Sequence, residues 1–353
     1  MPASDAAGRL GVNDLECLRQ IGWLEAALPE PPRPGDFLAR VVVHHRASLE
    51  VHDGRESFSA KPVPRLRHAL GDASQRPTVG DWVWVRARAD EWHVIDLLPR
   101  RSVLMRGAAG DRYGRQSLAA NVDLVLIVVG ADRDFNLRRI ERYLTLVAGS
   151  GAQPIVVLTK IDKLAEGELA DFREALAQTT DAPTFCINAK DSDSVAPLLA
   201  DLQPGQTAVL VGSSGAGKST LTNRLAGVDL RTGAVRERDG RGRHTTVTRQ
   251  LVQLPGGACL IDTPGLREIK FTGEEPSETP LFDDIEDLAG GCRFRDCSHQ
   301  EEPGCAVQSA VAEGKLDPQR LASWRKLNAE SSQRQAEAQE FARRQSRKAS
   351  RQR

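Results

Sequence analysis

Residues Gly212 to Thr220 read GSSGAGKST, and this stretch constrains the chain more than any other. It fits the pattern of glycine, four residues, glycine, lysine, then serine or threonine. An apolar strand, Ala208 to Val211, runs into it, and a helix carrying Leu221 and Leu225 runs out of it. Gly212, Gly215 and Gly217, with Ser213, Ser214 and Ala216 between them, let backbone amides converge on phosphate oxygens. The helix N-terminus adds its partial positive charge. Lys218 would bridge the terminal phosphates and the Ser219 hydroxyl would ligate magnesium, with Thr220 completing the segment. A loop of this kind belongs to an α/β sheet.

The surrounding pattern, from about Asn121 to Lys270, agrees. NVDLVLIVVGA and QPIVVLTKID are unbroken apolar strands of the buried parallel type. LRRIERYLTLVAGSG has helical spacing and ends at glycine. ELADFREALAQT is a second helix, PTFCINA a third strand, and ACLIDTPG a further strand with an acid at its end.

That last strand carries Asp262 to Gly265, DTPG. Its Asp262 would hold magnesium through water, and the Gly265 amide would meet the terminal phosphate. Between it and the phosphate loop lies GRGRHTTVT, Gly240 to Thr248. Thr245 and Thr246 sit there as switch residues, one of which, Thr245 in the first instance, would complete the magnesium shell. Thr159 to Asp162, TKID, ends a buried strand as a guanine-recognition motif does. The Asp162 carboxylate accepts from the guanine ring NH and its exocyclic amine, a pair adenine lacks, so ATP would leave a buried acceptor unpaired. The Lys160 stem packs on base and ribose. Thr159 stands where such motifs have Asn, which removes an amide. Asn188-Ala189-Lys190, also after an apolar strand, resembles the Ser-Ala-Lys loop whose backbone amide meets the guanine oxygen.

The order of these pieces is abnormal. Guanine motif and Ala-Lys loop precede the phosphate loop, whereas ordinary GTPases run the other way. The same sheet forms if the old termini are joined and the chain is opened elsewhere, because termini of such domains often lie close together. The expected G domain, about residues 115–270, is therefore circularly permuted.

Ahead of it the character is all-β. Residues 1–35 end in the Pro-rich PEPPRPG, after a short helix expected around Leu15 to Leu28. From 36 to 106, LARVVVHH, a hairpin turning at Asp53-Gly54, VGDWVWVRA and EWHVIDLLP supply short strands. Their number and length suggest a small barrel of the oligonucleotide-binding type, with a generic barrel as the alternative. Behind the G domain, Glu274 to Glu302 carries ten acids, and the last eleven residues, 343–353, carry six positive charges and no negative ones. Lys plus Arg nonetheless equals Asp plus Glu, at 48 each, which excludes a uniformly basic nucleic-acid binder. No apolar run approaches the roughly 20 residues of a membrane helix, and MPASDAAGRLGVND has neither apolar core nor basic leader. A cytoplasmic protein without membrane contact is expected.

Within the acidic stretch, Cys292, Cys297, His299 and Cys305 form C-x4-C-x-H-x5-C. Three thiolates and an imidazole suit tetrahedral Zn2+ with no open position, so the ion would be structural. The local segment, GGCRFRDCSHQEEPGC, has few large apolar groups and needs metal to hold it. A zinc-binding helical domain is expected over 274–342. Cys17, Cys186 and Cys259 are isolated and read as packing residues.

Taken in order, TKID, INAK, GSSGAGKST, GRGRHTT, DTPG and a Cys-rich segment closely resemble the ribosome small-subunit-dependent GTPase family, the RsgA/YjeQ type. VGDWV, LPRRSVLMR and RRIERYL extend the resemblance over most of the chain. It implies a barrel, a permuted G domain and a C-terminal zinc domain. It also implies Mg2+-dependent GTP hydrolysis to GDP, stimulated by the small ribosomal subunit, and a role in that subunit's late maturation. Departures are Thr159, Asn188 and a longer N-terminal lead. Leu266 follows the DTPG glycine where small GTPases place a water-orienting Gln. His244 is the nearest candidate to replace it, and the resemblance supports it. The barrel and zinc module would flank the G domain and grip rRNA, with the basic tail adding phosphate contacts. A monomer is expected. The rival readings are a nucleotide-regulated RNA-binding module with incidental hydrolysis, and an ATPase if Thr159 breaks guanine selection.

Overall fold

Burial sorts the strands into two kinds in the computed structural model, which describes residues 14–45, 48–67, 76–88, 91–107, 115–227, 249–262, 282–294, 297–300, 302–330, 332–333 and 336. The first kind is short and mostly paired antiparallel: β1 (Phe37–His44), β2 (Leu49–His52), β3 (Ser57–Pro62), β4 (Trp82–Arg88) and β5 (Glu91–Leu97). β1 pairs with β2, β2 with β3, β3 with β5, β5 with β4, and β4 returns to β1, closing a five-stranded barrel. Leu38, Val41, Val51, Val83, Val85 and Val94 fill its core. Asp53 accepts from the amides of Arg55 and Glu56 and so shapes the β2–β3 turn. A four-residue helix, α2 (Pro64–Arg67), leaves β3.

The helix expected around Leu15 to Leu28 is shorter. α1 spans Leu15–Gln20, capped by the Asp14 carboxylate. Gly22 stops it at φ +97°, and a Cβ there would meet the Arg40 guanidinium at 2.0 Å. Arg40 is fully buried and donates to Gly80 O at 3.3 Å, Asn121 O at 3.2 Å and Thr207 Oγ1 at 2.9 Å, and also to Ile21 O. One guanidinium thus joins the N-terminal turn, the barrel and the strand that leads to the phosphate loop.

The second kind of strand forms a mostly parallel sheet whose central strands are buried on both faces. An antiparallel ribbon, β6 (Val103–Gly107) with β7 (Arg115–Ala120), leads into it. There follow β8 (Leu124–Gly130), α3 (Leu137–Ala148), β9 (Gln153–Thr159), α4 (Glu168–Ala177), β10 (Thr184–Cys186), α5 (Ser192–Asp201), β11 (Thr207–Val211), α6 (Lys218–Ala226), β12 (Gln250–Gln253) and β13 (Cys259–Asp262). Every residue of β8 and of β11 is buried. The spatial order is β10-β9-β8-β11-β13-β12, parallel except for β12 at the edge. Val43 of β1 pairs with Gln250 of β12, so hydrogen bonding continues from this sheet into the barrel. Cys259 is buried in β13 and Cys186 packs partly buried in β10, as packing residues should.

The chain leaves the sheet for α7 (Asp283–Ala289), α8 (Ala306–Ala312) and a helix α9 over 318–330. Phe282, Ile285, Val307, Ala310, Leu321 and Leu327 share one core with Ile140, Leu144 and Val147 of α3. Arg320 fastens the contact, donating to Asp284 at 2.7 and 2.9 Å and to Glu141 of α3 at 3.2 Å. Among the described residues no helix is long and apolar enough to cross a membrane.

Candidate functional site

Parallel strands put all their carboxyl ends on one edge, and ligands bind where the strand order switches direction. β11 is that switch point: the chain runs outward through β8, β9 and β10, then returns to lay β11 between β8 and β13. The edge therefore carries Gly130, Thr159, Cys186, Val211 and Asp262 as strand ends.

After Val211 the backbone turns through Gly212 at φ +145° and Gly217 at φ +96° before α6 begins at Lys218. A Cβ on Gly212 would lie 2.2 Å from Val128 O, and one on Gly217 would lie 3.2 Å from Thr159 Oγ1. These glycines are thus needed for space as well as for φ. Ser214 and Gly215 form the exposed crest, Ala216 is buried beneath it, and Ser219 and Thr220 follow Lys218 in the first turn of the helix. Lys218 Nζ curls back over the loop, donating to Gly212 O at 2.7 Å and to Ser213 O.

Thr159 lies on the other side of this loop. Its hydroxyl is fully buried and donates to Ala216 O at 2.6 Å, with Val129 O a more distant acceptor at 3.2 Å. The missing Asn amide is thus replaced by a shorter donor that still ties the TKID turn to the phosphate loop. Thr159→Val, which keeps the shape and deletes the donor, should lower stability by about 1–3 kcal/mol by leaving a buried carbonyl unpaired. It should also weaken GDP binding, while Thr159→Ser should keep both; chemical denaturation and nucleotide titration of the two variants are the check. Lys160 then adopts left-handed backbone, φ +63°, and its ammonium meets Asp132 Oδ2 at 2.7 Å. Asp162 stands exposed on the single turn Ile161–Lys163.

β10 lies beside β9, so Asn188, Ala189 and Lys190 emerge next to that turn. The Asn188 amide donates to Ser194 Oγ at 2.8 Å, and its side-chain oxygen accepts from the Lys190 amide at 3.1 Å. Ala189 is buried and Lys190 exposed. Arg224 of α6 donates to Lys190 O and, at 2.8 Å, to Ser192 Oγ, fastening this loop to the phosphate-loop helix. Asp262 ends β13 two strands from Thr159's neighbour β8, across β11. His244, Thr245, Thr246, Gly265 and Leu266 lie outside the described residues.

Two acids at the end of β8 carried no sequence motif. Asp134 accepts from Ser213 Oγ of the phosphate loop, and Asp132 holds Lys160. Their signal was position alone: acids just past a buried parallel strand beside the phosphate-loop strand.

The cysteine cluster closes on itself. Ligand atoms of Cys292, Cys297, His299 and Cys305 all lie within 4.8 Å of one another. Zinc bonds of about 2.3 Å to sulfur and about 2.0 Å to nitrogen put tetrahedral neighbours about 3.5–3.8 Å apart. Cys292 Sγ is 3.8 Å from Cys305 Sγ, and His299 Nδ1 lies 3.5 Å and 3.4 Å from these sulfurs. The residues present therefore fit a tetrahedral ion. His299 is buried with φ +57°, and its ring rests 5.2 Å from Trp324 of α9. Cys305 caps α8, accepting from the Gln308 amide at 3.4 Å.

A phosphate loop on a central strand, reached only after the TKID turn and bracketed by a barrel and a Cys/His module, defines a circularly permuted P-loop GTPase. The family described as RsgA GTPase matches residues 97–272. Over 329 residues the chain is 51% identical to the Small ribosomal subunit biogenesis GTPase RsgA of Xanthomonas axonopodis pv. citri, covering 90% of this chain and 89% of that one. The protein of the same name from Xanthomonas euvesicatoria pv. vesicatoria is 50% identical over the same shares. Among solved structures, YjeQ from Thermotoga maritima matches with a TM-score of 0.60 at 26% identity, over 84% of this chain and 98% of that one. YloQ, described as a circularly permuted GTPase, matches in fold with a TM-score of 0.58 at 24% identity, over 85% of this chain and 96% of that one. The chain belongs to the RsgA GTPase family and is a GTP hydrolase.

Proposed function

We propose that this GTPase binds the small ribosomal subunit through its rRNA and couples GTP hydrolysis to the subunit's late maturation, as a cytoplasmic monomer. The observation that carries the nucleotide part is the Thr159 hydroxyl on Ala216 O, which ties the TKID turn to the phosphate loop and supports reading them as one site. The ribosomal part rests on the half-identical relatives and their printed names.

In this reading the amides of Gly212 to Lys218 cradle the phosphates and Lys218 neutralises the terminal ones. Ser219, Asp262 and Thr245 hold magnesium, which when bound offsets phosphate charge. Asp162 and the Asn188-Ala189-Lys190 loop read guanine. Asp162→Asn should weaken GTP binding and relax discrimination against xanthine nucleotides, because an acceptor pair becomes a mixed donor and acceptor. Competition titration with GTP and XTP measures this, and unchanged GTP affinity would remove Asp162 from the base site. The four metal ligands hold zinc, whose three thiolates and imidazole leave no position for substrate.

Leu266 cannot orient water, so turnover by the free protein is slow, and the small subunit accelerates it with His244 as the water-orienting group. Hydrolysis assayed with and without purified small subunits tests the function directly; equal rates would sink it. His244→Ala should lower the stimulated rate by ~10²-fold, the scale of a positioned polar group, with little change in GTP affinity. A stimulated rate within about twofold of the unaltered protein, worth only about 0.4 kcal/mol, would move catalysis to a ribosomal group.

A further inference from the structure

The segment from Gly130 to Arg139 carries none of the motifs that define the nucleotide site, yet it touches both halves of it. β8 ends at Gly130, where the chain turns with Asp132 Oδ1 accepting from the Asp134 amide at 3.0 Å. The turn is tight against its neighbours: a Cβ on Gly130 would lie 2.8 Å from Asp132 Oδ1 and 3.1 Å from Lys160 Nζ. Asp132 Oδ2 takes the Lys160 ammonium at 2.7 Å. Asp134 divides its two oxygens, Oδ2 accepting from Ser213 Oγ and Oδ1 from the Arg139 guanidinium. Arg139 stands in the first turn of α3, whose N-cap is Asn136, so the second acid is anchored to a helix packed in the core.

We propose that Asp132 and Asp134 form a positioning strap for the nucleotide site, Asp132 setting the Lys160 side chain beside the base position and Asp134 setting the entry of the phosphate loop through Ser213. This rests on the reading of Lys160 and the phosphate loop as guanine-nucleotide ligands, and names the residues that aim them. Neither acid is a nucleotide ligand; each acts through one partner.

The physical case is one of entropy and geometry. Lys160 has a long, freely rotating stem and sits at φ +63°, a backbone conformation that L side chains rarely adopt. Without a fixed acceptor its ammonium would sample many positions, and binding a base would have to order it. Asp132 pre-orders it. The hydrogen bond to Lys160 holds the Asp132 carboxyl below its ordinary range, with the Asp134 amide adding to the effect. The Asp132 carboxylate is therefore held in its charged form and the bond is charge-assisted. Ser213 follows Gly212, the loop's first and most crowded glycine, so fixing its side chain fixes the direction in which the loop leaves β11.

The test is a pair of double-mutant cycles on the full-length, metal-loaded chain, read by fluorescent GDP titration. Asp132→Ala and Lys160→Ala should each weaken GDP by about tenfold, and the double variant should be no weaker than Lys160→Ala alone. Asp134→Ala and Ser213→Ala should behave alike in the same way. Asp132→Asn, which keeps an oxygen acceptor and the side-chain shape, should recover most of the loss; a general effect on folding would not be rescued in that order. Additive losses in both cycles, with normal GDP binding by the unaltered chain, would overturn the strap alone. Failure of the unaltered chain to bind GDP would overturn the nucleotide site and the strap with it.

Discussion

Lys218→Ala should lower small-subunit-stimulated GTP hydrolysis by about 10³-fold while the protein stays folded. A preorganised charge aimed at developing charge is worth roughly 10²–10³ in rate per group, and Lys218 is the phosphate loop's own cation. In the structure its ammonium is already held over the loop by Gly212 O at 2.7 Å and by Ser213 O. Those oxygens hold it against the loop. The side chain is half-buried at the start of α6 and is not part of the sheet's apolar core. Lys218→Arg should be intermediate at best, because a planar fork does not match a point charge held between two carbonyls. Single-turnover hydrolysis with small subunits in excess, alongside circular dichroism, gives both readouts. A stimulated rate within tenfold of the unaltered protein would show that the loop does not act on phosphate through Lys218.

Cys305→Ser should strip the metal and unfold the C-terminal module. The unaltered chain should carry about one zinc ion, and the variant almost none, since four protein ligands fill the shell and the module supplies no substitute. Structural zinc contributes on the order of 10 kcal/mol or more to folding of such segments. α7 and α8 have seven residues each, too few to persist without it. Cys305 is the sharpest choice of the four because it is buried, caps α8 and lies within 3.8 Å of both Cys292 Sγ and His299 Nδ1. The damage should spread along α3, which shares its core with Val307, Ala310 and Leu321. It should spare GDP binding, because the phosphate loop packs in a different cluster with Ala216, Leu221 and Leu225. Metal analysis and hydrogen exchange would detect each part. A variant retaining zinc and normal protection over 292–305 would contradict the structural role.

Much of the site was legible before any fold was known, because its chemistry is local. Phosphate binding needs a strand, glycines and a helix start within about a dozen residues. A tetrahedral metal centre needs four ligands close in sequence when no core holds them. The reversed motif order was also legible, since order is a property of the chain. The barrel strands could be read from alternation and turn residues, and closure of β4 onto β1 bears them out. The reading failed where a distant group intervened. Helical spacing continued past Gln20, but buried Arg40, eighteen residues beyond Gly22, occupies the space that a side chain there would need. Val103 to Arg106 were expected in the barrel but pair with β7 as a separate ribbon, and α9 falls inside the helical domain expected over 274–342 without bounds of its own having been read; each takes its place by packing.

What the sequence by itself determined is therefore the set of chemical groups and their order: phosphate loop, TKID turn, DTPG strand and the Cys3His cluster. These depend on residue type and short spacing, which backbone geometry converts directly into local structure. Only the tertiary structure decided what those groups lean on. Thr159 finds its acceptor at Ala216, fifty-seven residues away, because β9 and the phosphate loop flank the end of β8. Asp134 reaches Ser213 across seventy-nine residues for the same reason. The parallel sheet brings strand ends to one edge whatever their separation along the chain, and a hydrogen bond depends on distance in space, to which sequence spacing of that length is blind.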